Sequence, residues 1–170
     1  MLRKHSGDLV VDLIDVVIET PRGSRNKYEL DPATDRVRLA RRLPGSFAFP
    51  ADYGFLPDTV GSDGEPLDAL VLVVEATYPG VYVSARVIGV VWIRTGSGRR
   101  EAKIVCVPDG EPAYDGVVDV EQLPAHLLDE ITNFFEIYRM LDRDASTSYD
   151  GRDGAEAARR LVEQARASAR

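Results

Sequence analysis

Four carboxylates, Asp58, Asp63, Glu65 and Asp68, fall among Gly54, Pro57, Gly61, Gly64 and Pro66. Glycine and proline at that density place them on loop backbone. The residues that follow, Ala69 to Val74, are all apolar and read as a buried strand. Like charges fixed at such a junction repel, and a hard cation such as Mg²⁺ or Ca²⁺ relieves the repulsion. Spacing alone leaves two readings, a divalent-metal site or a solvated acidic turn of the kind common in Gly/Pro loops.

The elements that must position this loop are mostly strands. Val16 to Glu19 is the strand within a β-rich run that Pro21 stops. Lys27 to Leu30 and Arg36 to Arg41 both alternate charged and apolar residues and form a hairpin across the turn 31–35, with Arg36 and Arg38 outward. The segment 43–52, with Phe47 and Phe49 among prolines and glycine, is a packed connection. After the strand Ala69 to Val74, Pro79-Gly80 turns the chain into Val81 to Ile93, a long strand whose central Gly89 predicts a bulge or bend. A basic turn, Arg94 to Arg100, leads to the strand Glu101 to Val107. Short strands without interleaved helices predict a compact antiparallel sheet or small barrel. From Pro124, Leu127, Leu128, Ile131, Phe134, Phe135, Tyr138 and Leu141 recur at helical spacing. A polar linker, 143–151, then precedes a second amphipathic helix over about 153–169, the part expected to be most loosely attached.

At 170 residues, 44% hydrophobic and 29% charged, the chain has the make-up of one ordinary globular domain spanning 1–170. Its apolar runs are too short to span a bilayer as helices, and no apolar leader follows Arg3 and Lys4, so the expectation is a cytoplasmic protein with no membrane partner. A formal net charge of −7 argues against nucleic acid as the main partner. Cys106, the single cysteine, sits in an apolar run and reads as a core residue; His5 and His126 make no recognisable Cys/His arrangement with it.

In order, Glu19, the K-Y-E of 27–29, Arg41, F-P-A-D-Y-G at 49–54, D-G-E-P-L-D at 63–68, E-A-K at 101–103 and F-F-E-I-Y-R at 134–139 resemble the motifs of a soluble family I inorganic pyrophosphatase. The resemblance covers about residues 14–142. It implies an α+β, mainly β fold, a small closed OB-type β-barrel flanked by two helices, and Mg²⁺-dependent hydrolysis of pyrophosphate to two phosphates, with several ions and other divalent metals as substitutes. Carried over residue by residue, it makes Asp63, Asp68 and Glu101 metal ligands around the attacking water, whose pKa the ions would lower. It makes Glu65 the group that orients that water and takes its proton. Lys27, Arg41, Tyr53, Lys103, Tyr138 and Arg139 would contact phosphate, and Glu19 and Glu29 would be acidic cavity residues acting on metal through water. It also implies a homohexamer.

This sequence departs from the family pattern at several of these positions. Glu65 and Glu101 stand where the family has aspartates, Gly96 where it has another metal-binding aspartate, Phe49 where it has tyrosine and Arg139 where it has lysine. The arginines of the basic turn, Arg94, Arg99 or Arg100, are candidates to supply the positive charge that a lost ion would have given the phosphate. The departures keep open an alternative function, a catalytically weak or inactive paralogue that binds phosphate or a phosphorylated ligand, and a third, an enzyme for a different phosphoanhydride.

Overall fold

The computed structural model describes residues 12–138 and 146–170. Eight strands are present among them: β1 (Leu13–Thr20), β2 (Asn26–Asp31), β3 (Arg36–Arg42), β4 (Asp52–Phe55), β5 (Asp68–Val71), β6 (Tyr82–Thr95), β7 (Arg100–Pro108) and β8 (Thr147–Gly154). Two α-helices, α1 (Ala125–Ile137) and α2 (Ala155–Ser168), flank them. The main sheet runs β1-β4-β5-β7-β6-β8, and β1 pairs with β6 as well, which closes a five-stranded ring. The fold is thus an OB-type barrel with two helices.

The length of β6 makes closure possible. Its first half pairs antiparallel with β1, Leu13 opposite Arg86 and Val17 opposite Tyr82, and its second half pairs with β8, Gly89 opposite Gly154 and Thr95 opposite Thr147. The register against β7 slips between Val87 and Gly89. Gly89 thus sits at a bulge, as its place in the long strand predicts, and close packing requires it: a Cβ there would lie 2.6 Å from the Val120 side chain.

Among the described strands only β5 and β7 run parallel to each other, and both are buried on both faces over 69–71 and 104–107, which is why those stretches read as apolar runs. Alternate residues serve two cores. Leu70, Val105 and Val107 pack with Leu128, Ile131, Phe134 and Phe135 of α1. Ala69, Val71, Ile104 and Cys106 pack with Ala158, Val162 and Ala165 of α2. The small residues of α2 allow close approach to the sheet, and Ala158 is fully buried.

The hairpin of β2 and β3 forms where alternation places it, with Lys27 opposite Arg41 and Glu29 opposite Arg38. The segment expected to be a polar linker differs. Its described part, from residue 146, leads at once into strand β8, and α2 follows directly and docks. Serine, aspartate and glycine are poor strand formers, so composition does not signal this element. Polar pairs hold it: Arg94 and Arg100 both donate to Asp150 Oδ2, at 2.7 and 2.8 Å, and Trp92 Nε1 donates to Asp153 Oδ2 at 2.7 Å. Strand β5 is also shorter than the apolar run implies, because beyond Val71 the carbonyls of Val73 and Val74 accept from Arg22 instead of a strand. Leu141 of the helical stripe lies outside the described residues.

Gly54 tests the closeness of the ring. A Cβ there would fall 1.8 Å from the Val17 carbonyl oxygen on β1, backbone against backbone. Gly54→Ala is expected to destabilise the fold by about 3 kcal/mol or more. Urea denaturation checks this; a loss under about 0.5 kcal/mol would show that β1 and β4 can separate without cost.

Candidate active site

The site begins with one register. Parallel pairing of β5 and β7 sets Asp68 beside Lys103. The lysine side chain is almost wholly buried, and its Nζ donates to Asp68 Oδ2 and, at 3.2 Å, to Glu101 Oε2. An ammonium taken from water needs such partners. Burial alone would lower its pKa, but Asp68 and Glu101 outweigh burial and raise it above the ordinary lysine value. Burial likewise works to raise the Glu101 carboxyl, yet the charge of Lys103 and the hydrogen bond from Arg99 draw it below the usual range.

Aromatic rings wall this pair. Tyr53 of β4 is buried, with its ring centroid 6.0 Å from Lys103 Nζ, and Phe135 of α1 lies at 5.8 Å. Burial and the neighbouring Asp68 carboxylate push the Tyr53 phenol well above its usual pKa, so it is a hydrogen-bond donor at every physiological pH. Tyr138 stacks on Phe134 at 5.3 Å and meets Phe135 edge-on, while the Arg41 guanidinium sits 5.1 Å from its ring centroid. Tyr138 is therefore both a core tyrosine and a wall of the site. Phe49 packs between Tyr53 and Phe134 at 5.5 and 4.7 Å, so the ring needs no hydroxyl for its packing.

The hairpin supplies the opposite side. Lys27 Nζ pairs with Glu29 Oε1 at 2.6 Å, and Glu19 Oε1 accepts the Leu30 N–H at 2.8 Å. Burial raises the Glu19 carboxyl against that hydrogen bond and the charge of Lys27; Asp68 and Glu29 act on it too, which ties the hairpin side to the Lys103 cluster.

The acidic loop divides. Asp63 Oδ2 lies 3.7 Å from Arg99 Nη1, whose Nη2 donates to Glu101 Oε1 at 2.6 Å. Glu65 is exposed, and its backbone N–H donates to Asp63 Oδ1 at 3.1 Å. Asp58 is exposed and takes no part in these contacts. Gly64 turns the loop with φ +87°, a conformation open to glycine. Arg139 lies outside the described residues. The structure therefore brings Glu19, Lys27, Glu29, Arg41, Tyr53, Asp63, Asp68, Glu101, Lys103 and Tyr138 into one region, with Glu65 on its loop.

Two supporting residues escaped the sequence reading. Thr59, buried, donates its hydroxyl to Leu56 O at 2.7 Å and accepts the Leu67 N–H at 2.9 Å, pinning the ends of the acidic loop. Asp52, fully buried, accepts from Arg22 N, Thr77 N and Thr77 Oγ1 at 2.7, 3.1 and 2.6 Å. Gly96, the position of a missing carboxylate, donates its N–H to Ser146 O at 2.7 Å, and a Cβ there would meet Ser146 Oγ at 2.7 Å. The turn is built around glycine.

Among the described residues no three acidic, histidine or cysteine side chains are gathered tightly enough to enclose an ion, and Arg99 and Lys103 pair with the carboxylates instead. The donor chemistry nonetheless fits a hard divalent cation. Asp63, Asp68 and Glu101 are oxygen donors on neighbouring backbone, and their charge already attracts cations. Carboxylates and cations interleaved beside the rings of Tyr53, Phe135 and Tyr138 form a group of charges able to bind a multiply charged anion together with metal.

An OB-type barrel with such a site at the ends of its strands defines a class, and comparison with known proteins narrows it. The profile of the family described as Inorganic pyrophosphatase matches residues 16–170. The inorganic pyrophosphatase of Methanosarcina mazei is 44% identical over 89% of this chain and 88% of its own, and that of Streptomyces coelicolor is 44% identical over 82% and 83%. The crystal structure of the inorganic pyrophosphatase from Thermus thermophilus superposes with a TM-score of 0.90 at 37% identity, covering 96% of this chain and 94% of that one. The chain belongs to the inorganic pyrophosphatase family.

The ion pairs give the fold a pH signature. Lys103, with its raised pKa, contributes stability fully below the ordinary lysine value of 10.5 and loses it as pH rises through the raised value. Glu101, with its lowered pKa, contributes above the ordinary 4.5 and loses it as pH falls through the lowered value. Lys103→Met, measured by urea unfolding in EDTA, should cost about 2 kcal/mol at pH 7–8, reduced from the fully buried case by the partial exposure of Asp68. The cost should shrink toward pH 4. Equal costs at the two pH values would contradict this account of the pair.

Proposed function

We propose that this protein hydrolyses inorganic pyrophosphate to two phosphates with Mg²⁺, or another divalent metal in its place. The observation that carries the reading is the convergence of Asp63, Asp68 and Glu101 with Lys103, Lys27, Arg41 and Tyr53, in a chain of this family. Asp63, Asp68 and Glu101 would hold the ions, with Glu19 and Glu29 as outer acidic residues reaching them through water. Bound there, the metal would supply Lewis-acid activation of water and neutralise phosphate charge. The chain's own cations and phenols do the rest. Lys27, Arg41 and Lys103 neutralise the two phosphates, Tyr53 and Tyr138 donate hydrogen bonds, and Arg139 is assigned to the same phosphate contacts. Phosphoryl transfer depends mainly on such positioning and electrostatics. Glu65, exposed on the loop between two metal-holding aspartates, is the proposed acceptor of the water's proton.

The same reading takes the chain as a single pyrophosphatase unit over 1–170 in the cytoplasm, with pyrophosphate and phosphate as ligands and neither nucleic acid nor membrane as partner. No helix among the described residues is long and apolar enough to cross a membrane. A homohexamer is the proposed assembly, and the exposed Leu39, Tyr78 and Tyr82 offer apolar surface for it.

Phosphate release from pyrophosphate across a Mg²⁺ titration tests the proposal. Release should require Mg²⁺, stop with EDTA and fall at least about a hundredfold in Asp68→Ala. Release that persists unchanged in Asp68→Ala would come from a contaminant, and absence of release would move the weight to a phosphate-binding paralogue.

A further inference from the structure

The turn between β6 and β7 carries three arginines, and the structure separates them. Arg94 and Arg100 donate to Asp150 on β8, and the Arg100 guanidinium lies 4.1 Å from the Trp92 ring centroid. They serve the outer face of the sheet. Arg99 shares the strand parity of Glu101 and Lys103, and successive residues of a strand point to opposite faces. Its guanidinium accordingly turns to the other side, with Nη2 on Glu101 Oε1 at 2.6 Å and Nη1 at 3.7 Å from Asp63 Oδ2. The backbone holds it there. Thr95 N donates to Arg99 O at 2.8 Å, Gly98 N to Thr95 O at 2.8 Å, and Gly96 N to Ser146 O at 2.7 Å.

Among the described residues, Asp63, Asp68 and Glu101 pair with two cations, Lys103 and Arg99, which leaves these five side chains with one net negative charge. Without Arg99 that charge would double. Lys103 is buried, whereas the Arg99 side chain is half-exposed on a long stem and open to solvent, where an arriving ion can reach it. We infer that Arg99 is a built-in counter-cation that competes with a divalent ion for the Asp63–Glu101 pair and so sets the metal concentration this protein requires. Metal enters between these two carboxylates by displacing the guanidinium, and the displaced guanidinium stays at the rim where an anionic substrate arrives. This rests on the reading of Asp63 and Glu101 as metal-holding residues.

The test is calorimetric titration of Mn²⁺ into the full-length protein without substrate, for the parent chain, Arg99→Gln, Arg99→Lys and Arg94→Gln. Arg99→Gln should bind Mn²⁺ about tenfold more tightly or better, and should lower the Mg²⁺ concentration for half-maximal phosphate release in step. Arg99→Lys keeps the charge and should lie near the parent. Arg94→Gln removes the same formal charge from the outer face and should match the parent. An Arg99→Gln isotherm equal to the parent's, equal tightening in Arg94→Gln, or Mn²⁺ uptake too weak to observe in all four proteins would each overturn the inference. If the parent releases no phosphate from pyrophosphate at any Mg²⁺ concentration, the pyrophosphatase reading fails, while the isotherms still decide whether Arg99 competes with metal.

Discussion

The site depends on one buried ammonium. Lys103 lies inside the barrel wall where water cannot solvate it, so two carboxylates must remain beside it. That requirement ties Asp68 at the start of β5 to Glu101 on β7 and fixes the register of this parallel strand pair. A slip of one residue would turn Lys103 into the opposite core and leave its charge unpaired. The same register presents Ala69 and Val71 to α2 and Leu70 to α1, so packing and electrostatics select one alignment.

From that pair the other groups are placed in turn. Tyr53 reaches Asp68 from β4, and its ring continues into the aromatic contacts of Phe49, Phe134, Phe135 and Tyr138 that seat α1. Arg41 rests on Tyr138, and its strand partner Lys27 meets Glu29. The candidate site is built into the core: the rings that fill the core also stand against Lys103 and Arg41, and the cations neutralise carboxylates that would otherwise repel. The acidic loop is held by its ends, through Thr59, while Gly64 shapes its tip.

Much of this was legible because local rules and tertiary structure agree. Alternation across Lys27 to Arg41 marks the hairpin, the Gly89 bulge follows from a strand too long to stay straight, and the stripe from Leu128 to Phe135 marks α1. The family was legible through the order of its motifs, and those motifs name the candidate site residues. Strand β8 was not, because its Ser, Asp and Gly side chains carry no apolar alternation and its partners lie on β6 and at residues far away in sequence, such as Glu121, which accepts from Arg152. Ring closure through β1 and β6 is equally non-local. The parity that sends Arg99 inward could have been counted from Glu101, but only the tight turn at Gly98 shows that the strand alternation extends back to it.

The central claim is that the carboxylates gathered around Lys103 and Arg99 hold metal beside a phosphate site. Anomalous diffraction from crystals grown with Mn²⁺ and phosphate addresses it directly. The account predicts Mn²⁺ peaks about 2.1 Å from carboxylate oxygens of Asp68 and Asp63, with phosphate between them and the Lys27, Arg41 and Tyr53 side. Mn²⁺ bound only at other acidic surfaces, with Asp68 still closed on Lys103 and no phosphate against the hairpin, would contradict it.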